Sequence, residues 1–587
     1  MVQMGESKAM SSLSGVRHDL FRKSPLIQKL YKSRGVTDAE DTVMNLDKLL
    51  SPADLPDIET AVDRLVLALG QREKIIVVGD YDVDGATSVA ICLSCLREMG
   101  AEDIEFLVPD RFMHGYGLSV EVTRICLSKD VDVIITVDNG TASFDGVELA
   151  RDAGVDVIVT DHHLPGEELP PALAIVNPNR EDSTFSSKNL AGCGVAFYLM
   201  TWLRKRLREA GWFDQKKLPE PNLAAALDLV ALGTVADMVP LDRNNRILVY
   251  QGLQRIRAGH SCLGIKKLAD ISKRTLATME ASDLGFAIGP RLNAAGRLND
   301  MALGVRCLLE NDNEQAFKMA SQLNALNSER RAVQENMLDQ AELFIAGMKD
   351  PSSEASLVIY EENFHEGVIG LIASKLKEKW NKPVVVFAKS AVSEGEIKGS
   401  ARSIEEVHIR DVLQEMATKQ PKLISKFGGH SMAAGLTIKR RYLDRFGKLF
   451  EKVVSASLTS TSSDTNFLDD GELGSEELTL ETARDIFWAG PWGTQFPEPT
   501  FCGKFELISQ RQVGLNHLKM VVKKGQSLID AIAFNSPILS DRVNGVELVY
   551  KMKENLYGPS STLQLLVEEI RESQHVGDLV ETKDWKD

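Results

Sequence analysis

The sequence predicts an α/β protein with four parts: a parallel-sheet domain, a long bridging helix, a second and smaller α/β domain, and a C-terminal β-barrel. Three observations lead there. Between Glu73 and about Pro178, strand-like runs ("KIIVVG", "DIEFLV", "VDVIITV", "VDVIVT", "LAIVNPN") alternate with helical patterns, as parallel strands joined by crossover helices do. From Asn313 to about Met348, apolar residues such as Ala320, Leu323, Met337 and Ala341 keep helical spacing, with no proline and no glycine before Gly347. Near the C-terminal end, five short strand candidates ("FELISQRQV", "HLKMVVKKG", "LIDAIAF", "VELVYKMKENLY", "TLQLLVEEI") follow closely, which suits a small OB-like barrel.

The chemistry gathers on the first domain. The run Ile75 to Val78 ends at Gly79 in three alternating acids, Asp80, Asp82 and Asp84. Such acids repel one another unless a cation sits among them; the plain alternative is a polar turn capping the next helix. A second run, "VDVIITVDNG", ends at Asp138, and a third, "VDVIVTDHH", ends at Asp161, His162 and His163. Parallel strands deliver their carboxyl ends to one crevice, so these groups are expected together. Asp237 follows another mostly apolar segment, "LDLVALGTVAD". Carboxylates with imidazole and no thiolate suit manganese or magnesium better than structural zinc. Several acids with one or two neutral donors suit two ions sharing a bridging carboxylate.

At these residues the chain resembles a known family. "DYDVDG", "VDNG", "DHH" and "GTVAD" are similar, in order, to the four motifs of the DHH phosphoesterases, and later segments resemble the RecJ single-strand-specific exonucleases within them. The expected ligands are Asp82, Asp84, Asp138, His162 and Asp237, with Asp138 as the bridge. His163 is left to contact the scissile phosphate or assist the leaving group, and Asp80 and Asp161 to orient the ligands.

Other segments carry candidate substrate contacts. Arg111, with Gly115 and Gly117, reads as a flexible basic loop near the crevice, or as a simple connection. "LAGCGVAFYLM" reads as glycines followed by a packing helix. In "GFAIGPRLNAAGRLND", Arg291, Asn293 and Arg297 sit around a break at Gly289 and Pro290, on what reads as a constrained loop; they suit phosphate contacts or a salt-bridged interdomain joint. Glu329, Arg330 and Arg331 read as the solvated face of the bridging helix. "GEIKGSARSI" offers Ser400 and Arg402 on a turn, and "KFGGHSMAAG" offers Gly428, Gly429 and His430, whose backbone can approach a phosphate. These last two segments resemble the DHHA1 element. The resemblance implies that Ser400 and Arg402 grip a terminal 5′ phosphate, with Arg291 or Arg297 as helpers. Lys519, Lys523 and Lys524 could follow a nucleic-acid backbone or protect a strand edge.

The expected division is a helical layer over residues 1–70, the DHH catalytic domain at 71–250, and a helical connector with the bridging helix at 251–350. The DHHA1 domain follows at 351–455, a polar linker at 456–475, the barrel at 476–573 and a tail at 574–587. The implied activity is 5′-to-3′ hydrolysis of single-stranded DNA to 5′ mononucleotides in recombination and repair, beside single-strand binding protein and a helicase. A monomer is expected.

Bulk properties agree with an enzyme of the cytoplasm. Hydrophobic and charged contents of 43% and 26% are those of an ordinary globular chain. No run is long enough to span a bilayer, the N-terminus has no secretory h-region, and seven scattered cysteines suit a reducing compartment. A net charge of −16 argues against a protein that coats DNA, but not against one that cuts it. Three rivals remain. A small-nucleotide phosphoesterase needs neither barrel nor bridging helix, and a non-catalytic replication factor should have lost ligands. An inorganic pyrophosphatase would start with histidine where this chain has Val78.

Overall fold

In the computed structural model the described residues are 20–110, 113–348, 351–458, 469–514, 516–540, 543–556 and 560–573. Arg111, residues 459–468 of the polar linker and the tail lie outside them.

Short β-branched runs build the first sheet. β1 (Ile75–Val78), β2 (Ile104–Leu107), β3 (Val133–Val137), β4 (Asp156–Thr160) and β5 (Ala174–Val176) are all parallel, in the order β2-β1-β3-β4-β5. Every residue of β1 and β3 is buried, because helices cover both faces. Cys92 and Cys95 are buried in the helix Val83–Glu98, so their spacing serves packing. "LDLVALGTVAD" forms the helix Leu227–Ala236, with Asp237 at its C-cap.

A helix of 34 residues, Asn313–Ala346, leads to the second sheet. There β6 (Leu357–Tyr360), β7 (Val384–Lys389), β8 (Glu396–Arg402), β9 (Lys426–Gly429) and β10 (Ala433–Lys439) run in the order β6-β7-β8-β10-β9. Only β6 and β7 pair in parallel; the remaining pairs are antiparallel. β11 (Phe501–Val513), β12 (His517–Lys524), β13 (Ser527–Ala533), β14 (Gly545–Asn555) and β15 (Thr562–Ser573) close into a barrel.

The barrel is not a loosely tethered module. Phe501, Phe505 and Leu565 belong to the same continuous core as Ile75 and Leu232 of the catalytic domain. The N-terminal layer fastens the two: Arg34 makes a bidentate pair with Asp470 at 2.8 Å for both bonds, and the Tyr31 hydroxyl donates to Ala489 O at 2.6 Å. Trp492 stacks on Phe496 with ring centroids 5.2 Å apart, so these aromatics serve packing. Among the described residues, no helix is long and apolar enough to cross a membrane.

Two local expectations are corrected. Arg291, Asn293 and Arg297 lie on a helix, Gly289–Leu298, rather than a loop: proline occupies the first turn, where its missing N–H costs nothing and its fixed φ fits. Ser400 and Arg402 lie on β8 rather than a turn; the alternating burial of Glu396–Arg402 marks a half-buried strand.

Candidate metal centre and substrate cleft

The acids meet because three parallel strands end at one edge. Asp80 and Asp82 fill the turn after β1, and Asp82 caps the following helix by accepting from Gly85 N at 3.1 Å. Asp84 lies in the first turn of that helix, 1% exposed. Its carboxylate accepts from Gly192 N at 2.6 Å and Cys193 N at 2.9 Å, so the positive end of the helix Gly192–Glu209 points at it. Asp138, directly after β3, has φ +60°, a conformation that costs energy in any residue but glycine. The Asn139 side chain locks that turn by donating to Val78 O at 3.2 Å and Val137 O at 2.8 Å.

His162 completes the group. Its Nε2 stands 3.1 Å from Asp138, 3.6 Å from Asp237 and 3.9 Å from Asp84, yet it is buried without a hydrogen-bond partner. Donor atoms of Asp84, His162 and Asp237 lie within 4.8 Å of one another, and so do those of Asp80, Asp82 and Asp138. Asp138 thus stands between two clusters. Asp80, expected behind the ligands, contributes an oxygen to the second.

The electrostatics call for cations. Burial, and then the charges of Asp84 and Asp82, push the Asp138 and Asp237 carboxyls well above the usual range; burial and Asp84 also raise Asp82. Asp237 is disfavoured further by its place at a helix C-terminus. An orphaned imidazole nitrogen among crowded carboxylates, with no thiolate, is a donor set that fits a pair of hard divalent ions.

Asp161 faces the other way. It accepts from Thr141 N at 2.9 Å, His162 N at 2.8 Å and His163 Nδ1 at 2.8 Å. Burial alone would raise it, but the His163 bond and the two imidazoles hold it well below the carboxylate range. In return, Asp161 overcomes burial to push His163 up to about 9.

Several positioning groups were not singled out in the sequence. The Tyr116 hydroxyl donates to Asp138 O at 3.2 Å, and its ring meets His163 edge-on at 5.9 Å. Asn177 donates to His163 O at 2.8 Å and Asn179 to His162 O at 2.5 Å. The polar "NPN" after β5 was the available signal. The Gly192 and Cys193 amides gave none beyond the glycines themselves.

The second domain closes over this edge. His430 lies nearly parallel to His163, ring centroids 6.5 Å apart. Gly429 has φ +146°, and a Cβ there would strike Ala433 O at 2.3 Å, so the turn requires glycine; a Cβ on Gly428 would meet open space. Arg402 Nη1 donates to Ser400 Oγ at 3.0 Å and Ala401 O at 2.8 Å, with no acid partner among the described residues. Arg297 donates to Gly367 O at 3.2 Å, which ties the two domains. Asn293 instead accepts from Val83 N at 3.2 Å, bracing the first motif. The three barrel lysines are occupied: Lys519 pairs with Asp530, Lys523 with Glu506 and Lys524 with Glu472.

A parallel sheet presenting these acids and paired histidines, roofed by a glycine-rich second domain, defines a DHH-type phosphoesterase. The comparisons agree: residues 74–234 match the DHH family N-terminal domain, 354–456 the DHHA1 domain and 470–569 the RecJ OB domain. The chain belongs to the RecJ family. It is 48% identical over 553 residues to the single-stranded-DNA-specific exonuclease RecJ of Dickeya dadantii, covering 93% of this chain and 96% of that one. Identity to the Escherichia coli protein of the same description is 46%, with the same coverage. The crystal structure of Thermus thermophilus RecJ in complex with Mn2+ superposes with a TM-score of 0.78 at 28% identity, covering 96% of this chain and 78% of that one.

Proposed function

We propose that this protein is a single-strand-specific DNA exonuclease that works from the 5′ end and releases 5′ mononucleotides, acting in recombination and repair. One observation carries the reading: Asp82, Asp84, Asp138, His162 and Asp237, from distant parts of the chain, converge with Asp138 between two clusters of donors. Family membership supports it, as do relatives described as single-stranded-DNA-specific exonucleases.

The ions are Mn2+ or Mg2+, each of which the related Thermus structures contain. Asp84, His162 and Asp237 would hold one and Asp82 the other, with Asp138 shared and Asp80 beside it. When bound, such a pair activates water and stabilises both attacking and leaving oxygens of an in-line displacement. The remaining work falls to the chain's own groups. His163, kept protonated and oriented by Asp161, offers a proton to the scissile phosphate or its leaving oxygen. Tyr116 steadies His163 and the Asp138 turn. Ser400 and Arg402 receive the terminal phosphate, with Gly428, Gly429 and His430 forming the roof and Arg297 at the cleft's margin.

By this reading residues 71–250 hold the metals, 351–455 the strand end and 476–573 the strand beyond. The enzyme acts in the cytoplasm as a monomer, beside single-strand binding protein and a helicase. Digestion of end-labelled single-stranded and duplex DNA with manganese or magnesium tests the whole reading. Labelled mononucleotide should be the first product from the 5′ end of a single strand, with blunt duplex resistant. Internal cuts, or a strand that never shortens, would overturn it.

A further inference from the structure

The bridging helix crosses from one core to another. Leu323 is its last buried apolar residue in the catalytic core, and Met337 its first in the core of the second domain. Between them the helix carries Asn324, Asn327, Arg330, Arg331 and Gln334, and Asn327 and Gln334 are buried although polar. Arg330, expected on a solvated face, is folded in. Its Nη1 donates to Gln334 Oε1 and its Nη2 to Asn327 Oδ1, both at 3.1 Å, while its Nε is buried with no acceptor.

Arg291 joins this group from the helix behind the metal centre. Its Nε donates to Asn324 Oδ1 at 3.0 Å and its Nη1 to Ala287 O at 2.6 Å. Arg331 follows Asn324 by two helical turns, which sets it on the same side as Arg291. Burial, then the charge of Arg331, lowers the pKa of both Arg291 and Arg330. Acids outnumber basic residues 84 to 68 in this chain, and Glu329 and Glu335 lie close in sequence. Even so, none of the three arginines makes an ion pair among the described residues.

That pattern differs from a structural salt bridge. Neutral amides fix the Arg330 fork without cancelling its charge, which leaves clustered guanidinium groups short of an anion. A planar fork with spare N–H donors suits a phosphodiester. The barrel lysines, each already paired with a carboxylate, are poorer candidates.

We propose that Arg330 and Arg331, beside Arg291, form a backbone-phosphate site on the bridging helix that anchors the single strand on the 3′ side of the scissile bond. This rests on the exonuclease reading above: with the 5′ end in the second domain and one nucleotide released at a time, every further phosphate lies 3′ of the cut. The two arginines are positioning residues and take no part in bond cleavage.

The test uses the full-length protein with a 5′-phosphorylated 20-mer. The Arg330→Gln/Arg331→Gln double variant should raise KM about ten-fold or more, with kcat within about three-fold of wild type. Anisotropy of the labelled 20-mer without divalent ion should show a log–log salt slope shallower by about 0.7 per lost contact. Arg330→Lys/Arg331→Lys should restore the slope, and all variants should keep the preference for 5′-phosphorylated ends. A Gln variant with wild-type KM and slope would overturn the site. So would lost kcat and thermal stability in the Gln and Lys variants alike, which would make the arginines structural. If the wild-type enzyme itself never shortens the strand, the exonuclease reading fails and this inference falls with it.

Discussion

His162 Nε2 lies 3.1 Å from an Asp138 oxygen and forms no hydrogen bond with it. The two residues follow neighbouring strands, β3 and β4, and each is positioned by its own backbone turn. A nitrogen aimed at a carboxylate it does not bond, with Asp84 and Asp237 close by, is arranged for a cation between them.

Asp138→Asn should therefore separate stability from activity. Removing one of several crowded, buried charges should raise the metal-free melting temperature by about 2–4 °C. Strand cleavage should fall by about three orders of magnitude or more, because both clusters lose their common ligand. Added Mn2+ should raise the melting temperature of wild type and have far less effect on the variant. Differential scanning fluorimetry with and without EDTA, beside a cleavage assay, checks all three.

Gly192→Ala should damage the same centre from behind. A Cβ at that position would come within 2.6 Å of the Asp138 Cβ and 2.8 Å of its Oδ1. The helix carrying the two amides that hold Asp84 would have to move. Cleavage should fall by about a hundred-fold or more at near-normal expression, since small misplacements of reacting groups cost that much. Manganese affinity, measured by titration calorimetry, should weaken in parallel.

Arg402→Ala should remove the advantage of a 5′-phosphorylated end. Charge-assisted hydrogen bonds contribute about 1.5–3 kcal/mol, roughly a ten- to hundred-fold preference. Paired substrates differing only in a 5′ phosphate or hydroxyl measure it. Cleavage of the hydroxyl-ended strand should change much less.

Lys553→Ala should loosen the barrel from the catalytic body. Lys553 pairs with Glu280 at 2.7 Å across that junction and with Glu498, on its own side, at 2.6 Å. Burial alone would lower its pKa, yet the two carboxylates raise it well above the lysine norm. Lys553 and Glu280 are each 27% exposed and Glu498 19%, so losing the shared base costs less than breaking a fully buried pair, about 1–3 kcal/mol. Limited proteolysis should cut near the junction sooner. Lys553→Met/Glu498→Gln, which deletes one acid with the base, should be milder.

The catalytic half of this protein was legible in its sequence because parallel strands are short apolar runs that end where the chemistry begins. "IIVVGDYDVDG", "ITVDNG" and "IVTDHH" announce both the sheet and its functional edge, and strand direction brings their ends together. The barrel was legible for a similar reason, through alternating strands between turns. Helix Gly289–Leu298 reads as a loop in the sequence because Gly-Pro punctuates an open chain and also starts a helix. Ser400 and Arg402 read as part of a turn because glycine and serine occur in both turns and half-buried strands.

Long-range partners belong to another class. Sequence alone determined which residues carry acid, imidazole and guanidinium, and the order in which strands present them, since local periodicity records burial within one element. Only the tertiary structure decided that Gly192 and Cys193 amides hold Asp84 and that His430 lies over His163. It also decided that Arg330 turns inward to two buried amides while the barrel lysines pair with acids. Those outcomes depend on which elements pack together, and charge placed against charge leaves no period in a linear chain.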